Sequence, residues 1–376
     1  MMQPPDPPTK AFPRDPADPG RIVLVGASVR AAAESAKRAG YTVIGIDLFG
    51  DTDTLAACDQ HFFLSSDFRE QIQAACLNTP VLQVSGLSNH PTWAWFPQTP
   101  RLLKEPSSLA KIACSAQVNF PETGLQSDLD SGPAFVSARW LVKQVDSSGG
   151  LGVSWFRPHT CPENAVLQRW IPGRLFGASF ISNGTDSQLI GVCQGRFTRA
   201  GSELPFVHCG SLGPIHVPPE MAQRLGRIGR EVVAMAGLRG LFNVDFLIDQ
   251  HGTFWLLEIN PRWSSSMELI ERNLQAPLLS VMLNGSSRLP DLELRASDLH
   301  LKRIVFARHR VEFQRNRISA LENSRVSFHD VPADGTVIER GNPILTVIKR
   351  FGVNEKSPMK NHRALMRCIH GEPVSP

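Results

Sequence analysis

Two periodicities organise the chain. From Arg21, RIVLVG is a short β-branched run closed by Gly26, VRAAAESAKRAG is rich in helix formers and stops at Gly40, and YTVIGID returns to a buried-strand pattern. Strand, helix and strand in this order predict a βαβ unit of a parallel sheet, a layout that binds ligands beyond the carboxyl ends of its strands. VLQVSG (81–86) adds a strand, and PSSLAKIACSAQVNFPETG reads as a capped helix entering a proline-bounded turn. The polar segment QSDLDSGP (126–133) marks a crossing between domains.

Beyond it the pattern turns to strands: FVSARWLVKQ, DSSGGLGV, VLQRWIPG, LFGASFIS and LIGVCQGRF. The segment PEMAQRLGRIGREVVAMAGL follows with apolar residues at helical spacing and is expected to end at Gly240. FNVDFLID and TFWLLEIN are two strands joined by Gln250-His251-Gly252, a hairpin signature. Residues 299–350 are again strand-rich, and an Asp334-Gly335 turn before TVIERGNPILTVIKR predicts a small β module followed by a basic surface helix or tail.

Composition narrows the class. A chain of 376 residues has room for about two or three domains. No stretch approaches the roughly 20 apolar residues of a membrane span. The net charge of +4 is spread along the chain, which predicts a small-molecule partner and no nucleic acid. Seven cysteines without a CxxC pair predict reduced thiols, and the lack of a basic-then-apolar leader predicts no secretory signal and a cytoplasmic location. Seven prolines within residues 1–20 predict a disordered lead-in. The first βα turn, Gly26-Ala27-Ser28-Val29-Arg30, lacks the second and third glycines of a dinucleotide site, so a Rossmann-like substrate or scaffold domain is favoured despite Asp47 at the end of the next strand.

Two segments carry chemistry. In WLVKQVDSSGGLGV (140–153) a strand lysine precedes a serine- and glycine-rich loop. An ordinary hairpin turn is one reading; a closing loop whose amides and hydroxyls hold phosphates, with Lys143 as a point charge, is the other. Lysine is scarce, nine against thirty arginines, and Lys143 is the only one between Lys111 and Lys302, inside an apolar run. No GK dipeptide occurs, which excludes a Walker-type loop. In FNVDFLIDQHGTFWLLEINPRW (242–263), period-two alternation places Glu258 and Asn260 on one face and the hairpin brings Asp245 beside them. These oxygen donors suit Mg²⁺, and Arg262 continues the alternation to where charge on a transferring phosphoryl group would develop. The alternative is a solvated strand face ending in an Asn-Pro turn.

With both segments present, the sequence resembles the ATP-grasp proteins of the carboxylate-amine ligase and carboxylase group, from Arg21 to about Lys349. The resemblance rests on the strand lysine with SSGGLGV, on VLQRWIPGR, and on DFLID followed by LLEINPRWSSS. It implies an α/β and α+β chain: a lead-in at 1–20, a Rossmann-like domain at 21–105, an ATP-grasp domain of two α+β subdomains at 106–297 with its lid at about 134–200, and a small C-terminal β module and tail at 298–376. It implies that Lys143 binds the ATP phosphates, that the loop Ser147, Ser148, Gly149, Gly150 and Gly152 closes over them, and that Gln168, Arg169, Trp170 and Ile171 form the adenine hinge. Asp245, Glu258 and Asn260 match the family's magnesium ligands, with Mn²⁺ as an alternative ion, and Arg262 its arginine beside the γ-phosphate; Lys104 and Lys111 both match its further basic position.

The activity implied is Mg²⁺- and ATP-dependent joining of a small carboxylate to an amine through an acylphosphate, in a protein expected to form a homodimer. Phosphorylation of bicarbonate and non-catalytic ATP binding are the alternatives. Arg30, Asn89, Arg196 and Arg199 are possible substrate contacts for which ordinary structural roles are favoured. His208-Cys209, His251, Trp93 and Trp95 are read as structural.

Overall fold

The computed structural model describes residues 20–84, 101–125, 138–144, 147–157, 162, 164–196, 205–282, 289, 292, 298–319, 321–352 and 369. The expected lead-in, the 126–133 crossing, Cys161, Cys368, Asn89, Arg199, Trp93, Trp95 and most of the basic tail lie outside them.

The N-terminal region runs β1 (Arg21–Val25), α1 (Arg30–Arg38), β2 (Thr42–Asp47), α2 (Thr52–Ala57), β3 (Gln60–Phe63), α3 (Arg69–Cys76) and β4 (Val81–Gln83). Its strands form a parallel sheet in the order β3-β2-β1-β4. Period two divides each strand between two cores: Ile22, Leu24 and Val43 pack with Ala32, Ala33 and Ala36 of α1, while Val23, Val25, Ile44 and Ile46 pack with Ile72 of α3. The elements α2, β3 and α3 carry no clear sequence signal, because they are short and leave Leu55 and Phe63 exposed.

After α4 (Pro106–Ser115), the strands β5 (Thr123–Gly124), β6 (Trp140–Gln144), β7 (Val153–Trp155) and β8 (Ala165–Arg169) make an antiparallel sheet in the order β5-β8-β6-β7. Next come β9 (Gly173–Asn183), β10 (Ser187–Arg196), β11 (Gly210–Gly213), α5 (Pro219–Ala236), β12 (Arg239–Asp249), β13 (Phe254–Asn260), α6 (Met267–Glu271) and α7 (Leu278–Met282). The chain closes with β14 (Leu299–Phe306), β15 (Val311–Glu312), α8 (Asn316–Ser319), β16 (Val326–His329), β17 (Val337–Ile338) and β18 (Pro343–Phe351).

One eight-stranded sheet, in the order β13-β12-β9-β10-β11-β14-β18-β16, joins what the sequence pattern separates. The strands β9 and β10 belong to it, so the lid sheet stops at Arg169 and the expected lid at 134–200 is too long. The expected boundary at 297 and 298 is likewise crossed, because β14 pairs with β11 and carries β18 and β16 with it. Among the described C-terminal residues, the β15-β17 pair alone stands apart from the large sheet. In each case backbone pairing to a strand edge decides membership, and residue type carries no record of that.

The helix α5 ends earlier than expected. Gly237, at φ +56°, terminates it by donating its N–H to the Val233 carbonyl, and Gly240 already lies in β12. Leu225, Ile228, Val232 and Val233 on its inner face are buried, each worth about 2 kcal/mol in area removed from water. Beneath them stacks an aromatic layer on β9, β12 and β13: Phe180 on Phe242 at 4.9 Å, and Phe246 between Phe176 at 5.3 Å and Phe254 at 4.4 Å. With this face of the sheet committed to the core, Asn243 and Asp245 of the other face line the cleft, and the buried Ser179 supports them by donating its hydroxyl to Asn243 Oδ1 at 3.2 Å.

Candidate active site

A cleft of about 1180 Å³ opens between the parallel sheet, the lid sheet and the polar face of the eight-stranded sheet. Its floor is the β12-β13 hairpin. Register pairs Asp245 with Glu258 and Asn243 with Asn260, so four polar side chains share one face. Asp245 accepts from Asn243 Nδ2 at 2.7 Å and from Asn260 Nδ2 at 2.9 Å; Asn260 Oδ1 in turn accepts from Arg262 Nη2 at 2.8 Å. Gly177, on the neighbouring strand, leaves room here: a Cβ would come within 3.2 Å of the Asn243 amide and 3.3 Å of Asp245. Burial, reinforced by the adjacent Glu258 carboxylate, raises Asp245 to about 7. Two carboxylates and an amide carbonyl side by side are hard oxygen donors, a set that fits Mg²⁺.

Asn243 is missed by the sequence reading, although period two from Asp245 points to it. Arg262 is anchored from the N-terminal side: Val84 bridges to Trp263, whose N–H donates to the Gln83 carbonyl at 3.3 Å. The hairpin therefore ends at the carboxyl edge of the parallel sheet, where such sheets place ligands.

Lys143 faces this floor from β6. Burial lowers its ammonium, while the carboxylates of Glu258 and Asp245 act in the opposite direction. The loop that follows is held by β10-β11 backbone: His208 donates its N–H to the Gly149 carbonyl at 2.9 Å, and a Cβ on Gly150, where φ is +79°, would collide with the Phe206 carbonyl. Ser147, Ser148, Gly149 and Gly150 line the cleft; Gly152 does not, and serves instead as the close-packing position beneath the Ser147 side chain. Phe206 and His208 leave no sequence signal for this supporting role, which depends on a contact about sixty residues distant in the chain. The His208 imidazole, buried and near Lys302 and Arg262, is pulled down to about 4 and is neutral at physiological pH.

Gln168, Arg169, Trp170 and Ile171 line the other end. Gln168 is buried and donates to Thr123 Oγ1 at 3.0 Å, which fixes β8 rather than offering a free side chain. The Arg169 and Trp170 amides are engaged by Glu122 and Arg139 carbonyls, whereas the Ile171 amide has no internal partner among the described residues. Arg139 lies over Trp155 at 3.8 Å and Trp170 at 4.8 Å, joining the segment after β8 to β7. Of the two further lysines, Lys104 lines the cleft and Lys111 is exposed on α4.

The N-terminal end of the cleft is framed by a buried charge network. Arg30 is fully buried and makes a two-bond fork with Glu268, at 2.7 and 2.9 Å; its Nε donates to Asp330 at 3.1 Å and its Nη1 to Glu34 at 3.2 Å. Lys302 completes it, at 2.6 Å from Glu268. Burial pushes Asp330 up, but Arg30 and Lys302 prevail and hold it at about 2. Arg30 is thus the tie between α1, α6 and the turn that follows β16, the structural role favoured from sequence; Arg196 does not line the cleft and His251 is an exposed turn residue. Asp47 is consumed structurally too, accepting from the Val29, Phe49 and Gly50 amides and pairing with His61 at 2.9 Å. Cys58, Cys76, Cys114, Cys193 and Cys209 are free thiols. No helix among the described residues is long and apolar enough to cross a membrane.

Fold and cleft together define an α/β protein in which a lysine-bearing antiparallel sheet faces an acidic floor. Residues 108–266 match the family model of the ATP-grasp domain. An uncharacterized protein of Methanocaldococcus jannaschii is 31% identical over 190 residues, 50% of this chain and 43% of that protein, so the chain spans less than half of this relative's length. In fold, the chain is similar to N5-carboxyaminoimidazole ribonucleotide synthetase of Thermus thermophilus, with TM-score 0.66 and 13% identity over 95% of this chain and 100% of that one. It is also similar to L-amino acid ligase of Bacillus licheniformis, with TM-score 0.62 and 13% identity over 93% and 96% of the two chains.

Proposed function

We propose that the protein is an ATP- and Mg²⁺-dependent ligase that activates a small carboxylate as an acylphosphate and joins it to an amine. The observation that carries this reading is the meeting, across one cleft, of Lys143 and the glycine loop with Asp245, Glu258, Asn260 and Arg262. Lys143, Ser147, Ser148, Gly149 and Gly150 would bind the triphosphate, with amides and a point charge on its oxygens. The Ile171 amide and the Gln168–Trp170 backbone would hold adenine. Asp245, Glu258 and Asn260 would hold Mg²⁺, which supplies charge neutralisation at the phosphate oxygens.

The carboxylate oxygen attacks the γ-phosphorus in line, the bond to the β-γ bridging oxygen breaks, and ADP leaves. Arg262, fixed by Asn260, stabilises the charge on the transferring group. Lys143 and Arg262, which both line the cleft, would put cations beside that group, and the closed loop would keep water from the acylphosphate. The amine then attacks the acyl carbon, phosphate leaves with the C–O bond pair, and the nitrogen releases its proton, giving the amide.

The test is Mg²⁺-dependent release of ADP and phosphate with pooled amino acids, bicarbonate and small amines, run beside Glu258→Ala and Lys143→Ala. Turnover stimulated by carboxylate and amine together, and abolished in both variants, is the expected result. Stimulation by bicarbonate alone would move the assignment to a carboxylase-like reaction; nucleotide binding without turnover under any pool would leave a binding protein.

A further inference from the structure

We infer that the N-terminal wall of the cleft is a subsite for an amine bearing an apolar group, with Asp51 holding the ammonium and Leu48, Phe49, Leu55 and Phe63 covering the apolar part. The inference deepens the ligase reading and rests on it for the identity of this amine as a substrate.

Asp51 lines the cleft, is only 7% exposed, and its carboxylate has no hydrogen-bond partner among the described residues. Its neighbours are all engaged. Asp47 takes three amides and His61, and Asp53 takes the Asp330 and Val331 amides at 2.8 and 2.9 Å. Arg30, the nearby cation, is divided among Glu268, Asp330 and Glu34. Burial, followed by the charges of Asp330, Asp53 and Asp47, raises Asp51 to about 8, so the carboxyl holds a proton at neutral pH that an arriving ammonium would displace on pairing with it. The same charges repel a carboxylate.

The surroundings identify the cation as organic. Leu48, Phe49, Leu55 and Phe63 are exposed at 37, 43, 47 and 45%, and all four line the cleft. Leu55 sits one helical turn beyond Asp51, its N–H bonded to the Asp51 carbonyl at 2.9 Å. Pro332 and Ala333 form the facing wall. With Asp47, Asp53 and Asp330 already engaged, a single unengaged carboxylate beside hydrocarbon side chains does not provide the several oxygen donors of a Mg²⁺ or Ca²⁺ site, whereas it suits an ammonium on an alkyl or aryl body.

The experiment titrates hexylamine and benzylamine against the full chain by calorimetry in EDTA, with ethylamine and hexanoate as controls and MgADP binding measured separately without chelator. Hexylamine should bind saturably, at least about tenfold more tightly than ethylamine or hexanoate, and Asp51→Asn should weaken it about tenfold or more. Phe49→Ser, a change at an exposed position, should weaken hexylamine several-fold, and both variants should bind MgADP like the parent. Hexanoate binding as well as hexylamine, or unchanged affinity in Asp51→Asn, would overturn the subsite. Asp51-dependent hexylamine binding in a protein that fails to bind MgADP would support the subsite and sink the ligase reading, so the two failures are separable.

Discussion

The Asn260 amide nitrogen donates to Asp245 Oδ2 at 2.9 Å, and this single contact orients both residues toward the same point of the cleft. It leaves Asn260 Oδ1, already aligned by Arg262, as the neutral oxygen between two carboxylates. Asn260→Asp removes the donor and sets a third carboxylate beside Asp245 and Glu258. The expected outcome is a rise in the Mg²⁺ concentration for half-maximal ADP release and a loss of turnover of about 10- to 100-fold, checked by Mg²⁺ titration of the enzyme.

The two loop glycines separate conformation from contact. Gly149 and Gly150 both have positive φ, at +63° and +79°, but a Cβ on Gly149 meets nothing within 4 Å while one on Gly150 runs into the Phe206 carbonyl. Gly149→Ala should cost only about 1 kcal/mol of local strain and leave the ATP KM within a few-fold. Gly150→Ala should lift the loop off Phe206 and raise the ATP KM at least about tenfold with little change in Tm. Steady-state kinetics beside thermal denaturation distinguish the two.

Lys104 and Lys111 are equivalent in the sequence and not in the fold. Lys104→Ala should raise the ATP KM, because the side chain borders the cleft, and Lys111→Ala should leave it unchanged. Equal effects from both would remove Lys104 from the nucleotide site.

Arg30 compensates several carboxylates at once. Arg30→Met keeps much of the side-chain volume but strands Glu268 and Asp330 without their main partner, and should lower stability by about 3–5 kcal/mol in urea denaturation.

Asp51 gives stability a pH dependence of defined sign. Its carboxyl rises from 3.8 to about 8 in the folded chain, so the native state binds this proton more tightly than the unfolded chain does. The resulting stabilisation is complete below about pH 4 and is lost progressively as pH rises toward 8. Asp51→Asn should raise Tm by several degrees at pH 8 and by much less at pH 4. An equal shift at both values would contradict the raised carboxyl.

The βαβ opening, the Gln250–Gly252 hairpin, and the grouping of Asp245, Glu258, Asn260 and Arg262 are legible in the residues, because period two and a short turn fix which side chains share a face. Tertiary structure alone decides the rest. It joins the C-terminal strands to the central sheet through β11 and β14, props the glycine loop on Phe206 and His208, separates Lys104 from Lys111, and turns Arg30 inward to Glu268, 238 positions away. The physical reason is common to all four: local patterning specifies the face a residue occupies, whereas edge pairing, close backbone approach and compensation of buried charge depend on partners far away in the chain, which no local pattern encodes.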